Sequence, residues 1–255
     1  MEFISSYHTD VGIRKKTNQD SLFLAEAHTA KGGVFLAVIC DGMGGLSEGE
    51  VASAAVARAF QVWFKEVLPE MLQLGITPDD VCTSWKELLT SMNTKVLDYG
   101  TRNHVSLGTT VVALLLVEDW YVIVNIGDSR VYYLLDALLQ LTKDQTAVQR
   151  EVELGLLTAE QAEQDPRRNM LLQCVGANVA IEPEFTRGSF VPGSLFMLCS
   201  DGFRHRIKPE ELWETLKPQA LGSEQQIHNN IVYLTDMNKY RREEDNISVI
   251  VIKAV

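Results

Sequence analysis

The sequence predicts an α+β domain in which two antiparallel sheets face each other and helices cover them on the outside. Three observations carry this. Short runs rich in Val, Ile, Phe and Tyr recur along most of the chain. Long helical stretches stand in bulk between groups of these runs instead of alternating with them. No Pro/Ser-rich linker and no internal repeat divides the 255 residues, so a single domain is expected over 1–255, with 46% apolar residues to fill its core.

The strands expected are 3–9, 21–25, 34–40, 109–117, 120–126, 130–135, 182–190, 194–199 and 246–252, with Glu118-Asp119 as a hairpin turn. A first long helix is expected from about 48 to 74, broken near Pro69. A second starts after Thr77, a good N-cap, with Pro78 at the first helical position and Asp79 and Asp80 at the positive helix end. Its stripe Val81, Trp85, Leu88, Met92, Val96 and Tyr99 has helical spacing and is read as core. A third fits 223–238, and a shorter one begins near Pro209. Residues 143–182 are polar and helical only in short pieces; they read as an insertion packed on the side of the sheets.

The net charge of −11, with no Lys/Arg-rich block, argues against a general nucleic-acid surface. No apolar run approaches the roughly 20 residues of a membrane span, so no membrane partner is expected. The first residues lack the basic start and apolar centre of a secretory leader. Cys40, Cys82, Cys174 and Cys199 form no CxxC pair and read as buried, reduced thiols. Together these point to a cytoplasmic protein.

The chemistry lies at the strand ends. "FLAVICDG" ends in Asp41, "YVIVNIGDSR" in Asp128 and "LFMLCSDG" in Asp201; "DNISVIVI" begins with Asp245, and Asp20 stands just before the run 21–25. A lone Asp there is usually a turn former. Five are harder to dismiss, because converging carboxylates repel one another unless cations sit between them. The set offers oxygen donors only, and the five histidines show no zinc-like spacing, so Mg²⁺ or Mn²⁺ is the fitting metal. Paired ions can acidify a water and clamp a phosphoryl group, which makes metal-assisted phosphoester hydrolysis the leading enzyme class. The glycine turn Gly42-Met43-Gly44-Gly45 after Asp41 keeps side chains away from such a centre.

The stretches "TDVGIRKKTNQDSLFL", "AVICDGMGG", "SLGTTVV", "VNIGDSRVYYL", "LTKDQT", "GLLTAEQAEQDPRRNMLLQCVGA", "LCSDGF" and "DNISVIVI", in this order, resemble the metal-dependent protein phosphatases of the type 2C serine/threonine (PPM) family, in its bacterial branch. The resemblance implies a central β-sandwich with the metals in a cleft at one end. It implies that Asp41 bridges two ions, that the Gly42 carbonyl ligates one, that Asp201 and Asp245 hold the other, and that Asp20 acts through metal-bound water. Asp128 would join Asp201 on a third, weaker ion. Residues 143–182 would form the flap beside the cleft. A metal-bridging hydroxide would attack phosphorus in line without a phosphoenzyme. The partners implied are phosphoprotein substrates and a cognate serine/threonine kinase, with the phosphatase a monomer.

Three departures from the family pattern stand out. The usual phosphate-binding Arg is replaced by Lys15, with Arg14 one place off; either could contact substrate phosphate, and register favours Lys15. Met43 stands where a proton-donating His is often found, and Gln145 replaces the common His of the flap. "SDGFRHRI" also sets Arg204, His205 and Arg206 directly after a candidate ligand. These are either a solvated charge run, or Arg204 and Arg206 line the cleft mouth and steer phosphopeptides. Two rival functions remain: a phosphoprotein-binding regulator of the same fold without turnover, and a structural cation binder. Intact aspartates disfavour the first, and the glycine turn disfavours the second.

Overall fold

The computed structural model describes residues 1–43 and 48–255. The expected turn glycines Gly44 and Gly45 lie outside the described residues. The elements in chain order are β1 (Phe3–Asp10), β2 (Ser21–Thr29), β3 (Gly32–Cys40), α1 (Gly49–Val62), α2 (Leu68–Leu74), α3 (Pro78–Asn103), β4 (Val111–Val117), β5 (Trp120–Ile126), β6 (Arg130–Leu134), β7 (Leu138–Gln140), α4 (Ala147–Glu153), α5 (Ala159–Gln164), β8 (Glu184–Ser189), β9 (Leu195–Cys199), α6 (Asp201–Arg204), α7 (Pro209–Leu216), α8 (Glu224–Tyr240) and β10 (Ile247–Ala254). One antiparallel sheet has the order β1-β10-β9-β6-β7, the other β2-β3-β4-β5-β8.

The strand alternation sorts side chains into three cores. Phe35, Ala37 and Ile39 of β3 meet Ile250 and Ile252 of β10 and Phe196 and Leu198 of β9 between the sheets. The other face of β3, Val34, Leu36, Val38 and Cys40, packs under α1 and α3. Val249 and Val251 of β10 pack under α7 and α8 through Leu212, Ile227 and Ile231. Central strands buried on both faces must be apolar throughout, which is why β3 and β4 read as unbroken runs.

Local chemistry sets the boundaries. Thr77 and Asp80 form a reciprocal cap at the start of α3, as the sequence suggests. Trp85 on that helix packs edge-on against Phe60 and Trp63 at 5.4 and 5.5 Å. Tyr99, expected in the same core stripe, is instead exposed and donates to Glu48 at 3.0 Å. The first helix is interrupted near Pro69, as expected, and α2 restarts at Leu68 with the proline in its first turn. Pro69 cannot donate to Lys65 and its ring crowds that carbonyl, and the chain widens into a π-turn over Trp63–Val67 one turn earlier. Glu118 takes a left-handed conformation in the tight β4–β5 turn, with Val117 opposite Trp120. The strand β7 was not expected, because only three residues pair. All four cysteines are buried and free. Among the described residues no helix is long and apolar enough to cross a membrane.

Candidate metal centre

Two sheets bring their acidic ends to one place. Asp41 follows β3 and Asp20 precedes β2 in one sheet; Asp201 follows β9 and Asp245 precedes β10 in the other. Each is held through its backbone or its neighbours. The Asp41 N–H donates to Thr110 Oγ1 at 3.1 Å, and its carbonyl accepts from Thr110 N and Thr109 Oγ1, both at 2.9 Å. Ser248 Oγ donates to Asp20 Oδ2 at 2.6 Å. The Asn246 amide donates to the carbonyls of Val11 and Thr17 and accepts from Gln19 N, which fixes the loop carrying Lys15 and Asp20. Glycines let these segments meet. A Cβ on Gly42 would lie 2.5 Å from the Gln19 carbonyl oxygen, and one on Gly202 would lie 2.1 Å from that of Asn246.

The electrostatics are those of a crowded anion site. Burial, then Asp20 and Asp201, pushes the Asp41 carboxyl well above its ordinary range. Burial pushes Asp20 up to about 7, against the pull of its Ser248 hydrogen bond, with Asp201 and Asp245 adding to the rise. Asp201 is raised by burial and by Asp245, while a hydrogen bond shared with Asp41 favours its ionised form. Asp20 Oδ1 and Asp201 Oδ1 are buried without a hydrogen-bond partner. Among the described residues no three His, Cys, Asp or Glu side chains close into a finished ligand cage. The donor set nevertheless fits hard divalent cations: all oxygen, half of it buried with unpartnered lone pairs, and crowded enough that its carboxylates resist ionising together without added positive charge.

Lys15 is the one cation paired with this group by a direct contact among the described residues: its Nζ is 2.9 Å from Asp245 Oδ1. Burial works against its charge, but Asp245 outweighs that and the ammonium is held above its usual range. Arg14 turns the other way and pairs with Glu244 at the surface. Both line a cleft of about 400 Å³ with Arg168 and Asn169 of the insertion, His205, Arg206, Glu243, Glu244 and Asp245. A second cavity of about 440 Å³ runs along α3 alone and shares no residue with this site.

Asp128 lies in the β5–β6 turn, apart from the other four in its contacts. Burial and Asp201 push it up to about 7, with Arg204 pulling the other way. Arg204 departs from both sequence expectations. It neither runs in solvent nor lines the cleft; its side chain is 12% exposed and bound to Asp144 at 3.1 Å. The reason is that α6 turns it inward, over the Asp128 turn, while Arg206 stays at the cleft, half exposed and 3.5 Å from Glu243. Burial and Arg204 hold the His205 imidazole down at about 3, hence neutral.

Gln145 gains a clear role. Its Oε1 accepts from Gly127 N and from Gln173 Nε2, both at 2.9 Å, so it ties the base of the insertion to the Asp128 turn. The insertion spans α4 and α5 as expected and returns through Val175, which exchanges hydrogen bonds with Thr109. Thr109, Thr110, Ser248 and Asn246 were missed as positioning residues. The usable signal was polar side chains inside or beside otherwise apolar runs, all four of them buried here.

Comparison with known proteins agrees with the fold and the order of the motifs. A family model described as Protein phosphatase 2C matches residues 11–233. The chain is 29% identical over 98% of its length to a serine/threonine phosphatase, stp, of Listeria innocua, covering 95% of that protein. It is 30% identical over 82% of its length to the serine/threonine protein phosphatase PstP of Mycobacterium tuberculosis, covering 38% of it. Among solved structures, the serine/threonine phosphatase Stp1 of Staphylococcus aureus superposes with a TM-score of 0.85 at 25% identity, covering 100% of this chain and 96% of that one. The PstP catalytic domain in complex with two manganese ions superposes with a TM-score of 0.78 at 27% identity, with 99% of each chain covered. The fold, the motif order and these matches agree: the chain belongs to the protein phosphatase 2C family and is a protein phosphatase of its bacterial branch.

Proposed function

We propose that this phosphatase hydrolyses phosphoserine and phosphothreonine in proteins, and so opposes serine/threonine kinases. In this reading two divalent cations, Mn²⁺ or Mg²⁺, are held by Asp20, Asp41, the Gly42 carbonyl, Asp201 and Asp245. One observation carries it: four carboxylates from two sheets, Asp20 and Asp201 buried and Asp41 and Asp245 partly exposed, meet beside an open cleft, with unpartnered oxygens and one lysine among them. Bound there, two divalent ions supply four positive charges against four carboxylates and acidify a water at neutral pH. The two manganese ions of the PstP catalytic domain support the use of divalent metal here.

The chain's own residues do the rest. Asp41, clamped by Thr109 and Thr110, sets the position of the centre relative to β3. Lys15, anchored on Asp245, donates to a phosphoryl oxygen as a point charge, without the fork that Arg would present. Met43 has no proton to give, so the leaving alkoxide takes its proton from water. The test is turnover of a phosphothreonine peptide with Mn²⁺, with chelator, and in Asp41→Asn. Turnover that needs Mn²⁺ and falls sharply in Asp41→Asn is expected. Folded protein that binds the peptide but never turns it over would instead be the non-catalytic regulator.

A further inference from the structure

The run "FRHR" after Asp201 is the motif that the reading above leaves unused. Arg204 closes the short helix α6 and is buried. Its Nη2 donates to Asp144 Oδ2 at 3.1 Å and to the Asp128 carbonyl at 3.2 Å, and lies 3.9 Å from Asp128 Oδ2. Asp144 is gripped from the other side by Arg130, through Nε and Nη2, both at 2.7 Å. Arg130 also donates to the Tyr132 hydroxyl at 2.9 Å. The four charged groups are thus two guanidiniums and two carboxylates, neutral as a set. Arg204 Nε is buried with no partner of its own, so nothing but this contact set accounts for bringing the side chain inside.

That geometry conflicts with a third cation shared by Asp128 and Asp201. A divalent ion bound to Asp128 Oδ2 would stand within about 6 Å of the Arg204 guanidinium. The guanidinium is held there by Asp144 and by the Asp128 carbonyl. An arginine also keeps its charge at any pH the fold survives.

We infer that Arg204 is a built-in cation that takes the place of a third metal ion beside Asp128, so that the centre carries two ions and Asp128 ligates none. Arg204 is a positioning residue: it fixes the Asp128 turn through its carbonyl and fixes Asp144 through its carboxylate. The inference rests on the two-ion reading but is tested separately from it.

The experiment counts bound Mn²⁺ per chain, by calorimetric titration and by the EPR signal of free Mn²⁺, on protein stripped with chelator and reloaded. Wild type should lose no ion on Asp128→Asn. Arg204→Gln should gain one ion, bound at least about tenfold more weakly than the others, and Asp128→Asn in that background should remove it. Arg204→Lys, which keeps the charge, should gain none. If Arg204→Gln does not fold, the wild-type arm still decides, because an ion lost on Asp128→Asn alone overturns the proposal. So does a folded Arg204→Gln that gains no ion. Since the gain is read by difference, it holds whatever the wild-type count. A wild-type count that Asp41→Asn leaves unchanged sinks the two-ion reading instead.

Discussion

Two groups of buried carboxylates sit at the same end of the sandwich and behave in opposite ways. Asp144 is buried, yet its carboxyl is held below the usual range, because Arg204 and Arg130 overcome the cost of burial. Asp20 is buried too, and its carboxyl is pushed up to about 7. Asp41 rises as well, for the same reason and because Asp20 and Asp201 face it. Burial is common to all three; the difference is whether the chain supplies the opposite charge. Asp128 stands at the border, with Asp201 pushing and Arg204 pulling. The fold completes one acidic cluster with its own arginines and leaves the next one short of positive charge, which is the contrast on which the two-ion reading rests.

Asp41→Asn attacks the uncompensated cluster at its centre and should lower kcat for p-nitrophenyl phosphate with Mn²⁺ by about a hundredfold to a thousandfold. A variant with full activity would remove Asp41 from the metal set. Asp144→Asn attacks the compensated cluster and should act on the fold itself. It strands two largely buried guanidiniums, and a loss of about 3 kcal/mol in denaturant unfolding is expected. A loss under about 1 kcal/mol would mean that the arginines do not depend on Asp144, and the contrast between the clusters would fall.

Ser248→Ala sharpens the comparison, since it removes the hydroxyl that orients Asp20 and leaves every charge in place. Mn²⁺ affinity should drop about 10–100-fold, while stability changes by only about 1 kcal/mol. Equal loss of stability and affinity would make Ser248 a packing residue. The smallest effect belongs to a surface copy of the Asp144 geometry. Arg241 forks onto Glu211 at 2.6 and 2.7 Å, and that hydrogen bond pulls Glu211 down to about 2. Because the pair is partly exposed, Glu211→Gln should cost about 0.5–1 kcal/mol. A depressed carboxylate stabilises above its unfolded pKa near 4.5 and loses that contribution as pH falls towards 2. The gap between wild type and variant in thermal unfolding should therefore be full at pH 6 and close towards pH 2.

The sandwich and the acidic strand ends were legible because they leave one-dimensional marks: apolar runs, and an Asp where each run meets its turn. The arginine cluster left none. Arg204 stands three places from Asp201, so adjacency suggested a role at the cleft, whereas its partner Asp144 lies 60 residues earlier in the chain. Thr109 and Thr110 read as the start of a strand; that they clamp Asp41 depends on β3 and β4 being neighbours. Register favours Lys15 over Arg14 but leaves both open, and the structure separates them by direction, one towards Asp245 and one towards Glu244. In each case the missing information was which turn packs against which.

The division of the four aspartates, two on each sheet, has a mechanical consequence. Whatever binds all four at once laces the sheets together at that end, where, among the described residues, no strand belongs to both sheets. Spreading the sandwich there and emptying the centre then become one event, so occupancy is felt as stiffness. Amides at the ends of β3 and β9 would exchange with solvent more slowly when the centre is loaded, and those at the far ends of the same strands would hardly change.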